Sequence, residues 1–145
     1  MYLTVVEEGC EAVLRTLEGL DREAVRWKPA PVANSLAAIA KHSLANAERN
    51  VLMTFAGEPY DWRRDEEFLA DSETGESLRL AWTRLQARMR VSLGLIAESR
   101  LAETLQHPRM GAVPGRVVLL QAARHVSEHV GEAGLTRGLI VVRRG

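Results

Sequence analysis

Leu3, Val6, Cys10, Val13, Leu17 and Leu20 recur at spacings of three and four, the period that lays one apolar stripe along a helix. This first predicted helix runs out at Asp21. The following Trp27-Lys28-Pro29-Ala30-Pro31 reads as a connection, because its prolines lack backbone donors and disfavour helix in the residues before them. A second helix is expected to start from a cap at Asn34 or Ser35, whose short side-chain oxygens suit a free N–H of the first turn. It continues to about Phe55 on a stripe of Leu36, Ile39, Ala40, Ala47, Val51 and Phe55, and Gly57-Glu58-Pro59 stops it. The segment from Tyr60 to Thr74 has no long period and reads as a crossover with room for a helical turn. A third helix, starting between Ser72 and Ser77, carries Leu78, Trp82, Leu85, Met89, Leu93 and Ile96. Pro108, Gly111, Pro114 and Gly115 predict an irregular stretch from Leu105 to Gly115. A fourth helix spans Val117 to about Leu139. Gly131, Gly134 and Gly138 each cost it about 1 kcal/mol relative to alanine, which predicts fraying or close packing in its second half.

Four amphipathic helices without a convincing alternating strand define an all-α class, a four-helix bundle. The longest connection, between helices two and three, permits those two to run parallel, so an up-down-down-up topology is expected. The 145 residues, 46% hydrophobic and 26% charged, suit one domain over residues 1–145 with its own core and no need of a structural metal. Nineteen basic side chains balance nineteen acidic ones, so there is no overall positive field to favour nucleic acid or an anionic membrane as partner. One cysteine excludes an internal disulfide, and Glu7, Glu8 and Glu11 interrupt the N-terminal apolar pattern, unlike a secretory signal. With no apolar run of membrane-spanning length, the expectation is a cytoplasmic protein.

The histidines carry the chemistry. His125 and His129 are four residues apart, about 40° around a helix, so both rings leave one face a turn apart. Val118, Ala122, Ala133, Thr136 and Ile140 fall within about 80° of them, which places the pair in the core stripe. Buried imidazoles need partners, and a metal satisfies both. His42 lies on the shoulder of the second helix's stripe, near Ile39, Asn46 and Met53, where a third ligand from another helix is geometrically reasonable. Three neutral imidazoles with an open position form the ligand set of a catalytic zinc site, whereas helical spacing alone also produces such pairs by chance. His107, beside Pro108, reads as a surface residue. Trp27, Trp62 and Trp82 read as packing residues, and Cys10, on its helix's apolar stripe, as a small buried hydrophobe.

The segments PAPVANSLAAIAKHSLANAERNVL, with His42, and ARHVSEHVGEAGLTRGLI, with His125 and His129, resemble the DinB/YfiT-like superfamily over nearly the whole chain. The resemblance implies a divalent metal, zinc or nickel, on a triad of His42, His125 and His129. It also implies a homodimer, and for some members transferase or isomerase activity with thiols such as bacillithiol, mycothiol or glutathione. Relatives often carry Arg and Gln around the glycine after the second His of the pair, whereas this chain has Val130, Gly131 and Glu132. Glu132, three residues after His129, is placed to orient a ligand, to bind the metal or simply to be solvated, with solvation the default. Asn46, one turn after His42, faces either the site or the solvent at its rim. The expected chemistry is thiol S-transfer, in which an external low-molecular-weight thiol activated by the metal attacks an electrophile. The alternatives are a metal-dependent hydrolase or isomerase, and a non-catalytic, metal-binding or stress-related dimeric bundle.

Overall fold

The structure, a computed structural model, describes residues 1–59 and 61–145, the side chain of Arg64 excepted. The expected crossover position Tyr60 lies outside the described residues. Helix α1 spans Tyr2–Arg15 and buries Val6, Gly9, Cys10, Val13 and Leu14. It ends five residues before the expected limit at Leu20, because Leu17 turns back in a tight turn that Gly19 completes at φ +73°. A short α2, Arg22–Arg26, then occupies what the prolines suggested was all connection, with Asp21 Oδ1 accepting the Ala24 N–H at 2.9 Å.

Of the two candidate caps for the next helix, Ser35 acts: its Oγ accepts the Ala38 N–H at 3.1 Å and starts α3, Leu36–Ala47. Alanines at 37, 38, 40 and 47 let neighbours approach from several sides, and nearly the whole of α3 is buried. From Glu48 to Phe55 the chain stays helical but widens to π geometry, and the Ala56 N–H closes it onto the Val51 carbonyl five residues back. The crossover contains one 3-10 turn, Arg64–Glu66. Helix α4, Gly75–Gly94, starts from a reciprocal cap in which Thr74 and Ser77 each bond the other's backbone N–H, and it buries Leu78, Trp82, Leu85 and Met89 as a single stripe.

The expected irregular stretch is instead an antiparallel hairpin, β1 (Thr104–His107) and β2 (Gly111–Pro114), closed by Gly111 at φ +72°. The strands pair over four residues each, enough to satisfy their backbone groups locally. Helix α5, Gly115–Arg144, follows and is the longest element. It neither frays nor packs tightly at Gly131, Gly134 and Gly138: the helix passes through all three, and a Cβ added at any of them would meet nothing within 4 Å. Helices α4 and α5 each pack against α1 and α3 around one hydrophobic core, while the hairpin lies against the π-helical segment and the start of α5. This is the expected helical bundle with a small sheet added. Among the described residues no helix is long and apolar enough to cross a membrane.

Candidate metal centre

Helix α3 presents His42 to α5, where His125 and His129 project one turn apart. The face of α5 that carries them is the core face, with Val118, Ala122, Ala133, Thr136 and Ile140 all buried. His42 Nε2 lies 2.8 Å from His125 Nε2, and His129 Nε2 lies 3.0 Å from that same atom. The rings meet edge to face, with centroids 4.6–5.0 Å apart. One nitrogen from each of the three histidines therefore falls within a sphere small enough for a single ion.

The outer nitrogens decide what the inner ones can do. His42 Nδ1–H donates to Glu67 Oε2 at 2.7 Å, and His129 Nδ1–H donates to Glu132 Oε2 at 2.7 Å. A neutral imidazole that gives its proton to a carboxylate at Nδ1 has a bare lone pair at Nε2. Burial first, then the neighbouring His129 and His42, push His125 down to about 4, so this ring is neutral near pH 7. Two bare lone pairs thus face His125 Nε2, which carries at most one proton and can satisfy only one of them well. A cation at their meeting point satisfies all three, and carboxylate-backed neutral imidazoles are the form in which histidine binds metal. The donor set fits a divalent ion by its own chemistry.

Glu67 is the residue the sequence reading missed. It is 4% exposed, and its Oε1 accepts from Arg49 Nη1 at 2.6 Å and from Trp62 Nε1, while Oε2 serves His42. Burial is the largest single influence on its carboxyl and acts to raise the pKa. The hydrogen bonds from His42 and Trp62 and the charge of Arg49 together outweigh burial and hold it below the usual glutamate value. Arg49, equally buried, also stacks over the Trp62 ring at 4.4 Å, so Trp62 joins the site's support and does more than pack. Phe68 covers the other side, stacked on His42 with centroids 4.4 Å apart.

Two further expectations are revised. His107 is not a surface residue: it is 5% exposed, because the hairpin folds it onto the π-helical segment, where its Nε2–H donates to Asn50 Oδ1 at 2.8 Å. Its Nδ1 accepts the backbone N–H groups of Arg109 and Met110, both at 3.1 Å. Glu132 is not merely solvated, since its Oε2 accepts the hydrogen bond from His129 Nδ1–H, although 39% of its side chain stays exposed. Asn46 is buried and accepts from Asn50 Nδ2 at its Oδ1, 3.0 Å away. A polar cavity of about 430 Å³ opens beside His125, between the π-helical segment, the hairpin turn and α5.

Fold and site together define a DinB-like helical bundle with a partly buried histidine cluster. A profile of the mycothiol-S-transferase family matches residues 2–141, and the chain belongs to that family. No curated protein matches it. Among solved structures it is similar to a conserved protein from Enterococcus faecalis, with 20% identity, 97% of this chain and 95% of that one covered, and a TM-score of 0.73. It is also similar to a DinB-like protein from Bacillus cereus, at 15% identity over 93% and 87% of the two chains, again with a TM-score of 0.73. A third similar structure is a mycothiol-dependent maleylpyruvate isomerase, at 22% identity and a TM-score of 0.70; the match covers 92% of this chain but 59% of that longer one. At these identities the structural likenesses speak for the fold.

Proposed function

We propose that this protein is a divalent-metal-dependent thiol S-transferase that joins mycothiol to an electrophile. The observation that carries the reading is the convergence of three imidazole Nε2 atoms, two of them on rings whose other nitrogen is committed to a carboxylate. His42, His125 and His129 would hold the ion, zinc or nickel, with room for a further ligand. Bound there, a divalent ion supplies Lewis acidity that favours a thiol's ionised form near neutral pH.

The chain's own residues do the rest. Glu67 and Glu132 keep the Nδ1 protons of His42 and His129 in place, so the Nε2 lone pairs stay turned inward. Phe68 and the core residues of α5 keep water from one side of the cluster. The thiol sulfur's lone pair forms a bond to the electrophilic carbon as the bond from that carbon to the leaving group breaks, the leaving group keeps the broken bond's electron pair, and the thiol proton passes to solvent. Cys10 is not the nucleophile: it is fully buried in α1, and burial, with smaller contributions from Glu11 and Glu7, pushes its thiol up to about 12.

The test is element-resolved metal analysis of untagged protein beside His42→Ala and His125→Ala, coupled to mycothiol consumption with a chlorinated aromatic or an epoxide. Near-stoichiometric metal in the wild type, lost in both variants, with metal-dependent thiol consumption, is the expected result. Metal-free wild-type protein, or metal without thiol consumption, rejects the transferase reading.

A further inference from the structure

Positive charge that no carboxylate balances gathers where α2 meets the last turn of α5. The cap at Asp21 starts α2, whose five residues place Arg22 and Arg26 four apart, one turn from each other on one side of the helix. Arg143, near the end of α5, comes over the ring of Trp27, its guanidinium carbon 5.4 Å from the ring centroid. These three arginines, Trp27 and Glu23 line an open pocket of about 590 Å³. Arg143 follows His129 by fourteen residues, so the pocket lies about 21 Å along α5 from the histidine cluster.

The neighbouring acids are committed elsewhere. Asp21 accepts from Nη1 and Nη2 of Arg144 at 3.0 and 2.8 Å. Glu73 offers Arg26 Nη2 only its backbone carbonyl, at 3.3 Å, because its carboxylate accepts from Ser77 Oγ at 2.6 Å and lies 3.7 Å from Lys41 Nζ. That carbonyl orients the Arg26 guanidinium without neutralising it, and the buried Nε of the same side chain has no partner. Among the described residues Glu23 forms no ion pair, and Arg22, Arg26 and Arg143 have no carboxylate partner. Like charges one helical turn apart repel, and a third brought in from another element adds to that cost unless an anion fills the space between them.

The lining carries a surplus of two positive charges. A phosphate monoester, with about −1.5 to −2 at neutral pH, matches that surplus, and guanidinium forks suit its oxygens. The half-buried Trp27 adds an aromatic wall, so it does more than pack. We propose that this pocket binds a phosphate monoester carried on a small aromatic or heterocyclic ring, with Arg22, Arg26 and Arg143 on the phosphate and Trp27 beside the ring. The volume is that of a small-molecule site. The site is separate from the metal centre and does not rest on the transferase reading.

The experiment follows the Trp27 indole N–H by heteronuclear NMR, assigned through Trp27→Phe, while phenyl phosphate, inorganic phosphate or benzyl alcohol is titrated into the protein as purified. Phenyl phosphate should shift that resonance saturably, inorganic phosphate should bind about tenfold more weakly, and benzyl alcohol should leave it in place. Arg22→Ala and Arg143→Ala should each weaken phenyl phosphate about tenfold, the loss of one charge-assisted hydrogen bond. Both side chains are exposed, so these variants should fold as the wild type does, which thermal melts check. His42→Ala should leave the affinity unchanged, which separates this pocket from phosphate captured by a metal. Absence of a saturable shift, unaltered affinity in both arginine variants, loss of binding in His42→Ala, or inorganic phosphate binding as tightly as phenyl phosphate overturns the assignment.

Discussion

Replacing Glu67 by glutamine tests the physical core of the site because it keeps the shape and removes one charge. In the wild type, Oε1 faces Arg49 and Trp62, both donors, and Oε2 faces His42 Nδ1. A glutamine has one acceptor oxygen. If that oxygen stays with the two donors, its NH2 group faces His42, whose proton must move from Nδ1 to Nε2. That places an N–H at the point where the three imidazoles converge. Displacing it, and losing the carboxylate that raises ring basicity, should weaken divalent-metal affinity about 10- to 100-fold. A separate effect falls on stability. Arg49 is 3% exposed, and removing the charge that balances a buried guanidinium costs about 3–5 kcal/mol, roughly 10–20 °C of melting temperature for a domain of this size.

The two effects are read by different assays. Urea unfolding in the presence of a chelator reports the stability term, and competition with a chromophoric chelator reports the affinity term. Glu132→Gln serves as the contrast. It also removes a carboxylate from an imidazole Nδ1, but with 39% of the side chain exposed its stability cost should stay below about 1 kcal/mol, while metal affinity still falls. A Glu67→Gln protein that unfolds at the wild-type urea midpoint and binds metal within about twofold of wild type refutes the argument that this carboxylate fixes the tautomer.

Two glycine substitutions should move stability in opposite directions. A Cβ at Gly9 would lie 2.6 and 2.9 Å from the methyl groups of Val126, so Gly9→Ala should cost about 1–3 kcal/mol in urea unfolding, whereas Gly134→Ala, on an open helix face, should gain up to about 1 kcal/mol. Asp21 gives a pH dependence: hydrogen bonds from Arg144, then from the Ala24 N–H, hold its carboxyl at about 2, below its ordinary 3.8. Because the folded value is the lower one, the stabilisation is present above pH 3.8 and disappears as pH falls through 2, so melts of Asp21→Asn should trail wild type at neutral pH and converge with it across that interval.

The helices were legible because burial in this chain follows a local period. Leu78, Trp82, Leu85 and Met89 are spaced as an amphipathic helix requires, and all four lie in the core. Where the outcome depended on geometry the period does not encode, the reading fell short. The widening to π geometry after Ala47 keeps Val51 and Phe55 inside, so the same residues are buried in either kind of helix. Strands of four residues, with Pro108 in the turn between them and Gly111 and Pro114 within the second, are too short to alternate visibly, and these prolines and the glycine look like a loop. Glycines in α5 that weaken an isolated helix are carried by the packing of its other face, where Ala133, Thr136 and Ile140 are buried.

The same division runs through the site. Convergence of His125 and His129 is a property of four-residue spacing on one element, and Asn46 follows His42 by the same rule. Their partners arrive from far along the chain. Glu67 lies 25 residues from His42, beside Glu66, which is exposed and indistinguishable from it in a sequence. One clue was available: an imidazole turned into a core needs an acceptor at its second nitrogen, and the crossover offers Asp61, Asp65, Glu66, Glu67, Asp71 and Glu73, among which the sequence does not choose. His107 became legible only once the hairpin brought it against Asn50. Both residues act by fixing the orientation of another side chain, Glu67 by choosing which nitrogen of His42 faces inward and His107 by holding the Asn50 amide, whose Nδ2 donates to Asn46. The residues that supply donors and lone pairs can thus be found from local spacing, whereas those that aim them are set by tertiary contacts, and in this chain the aim determines whether the histidines can hold an ion at all.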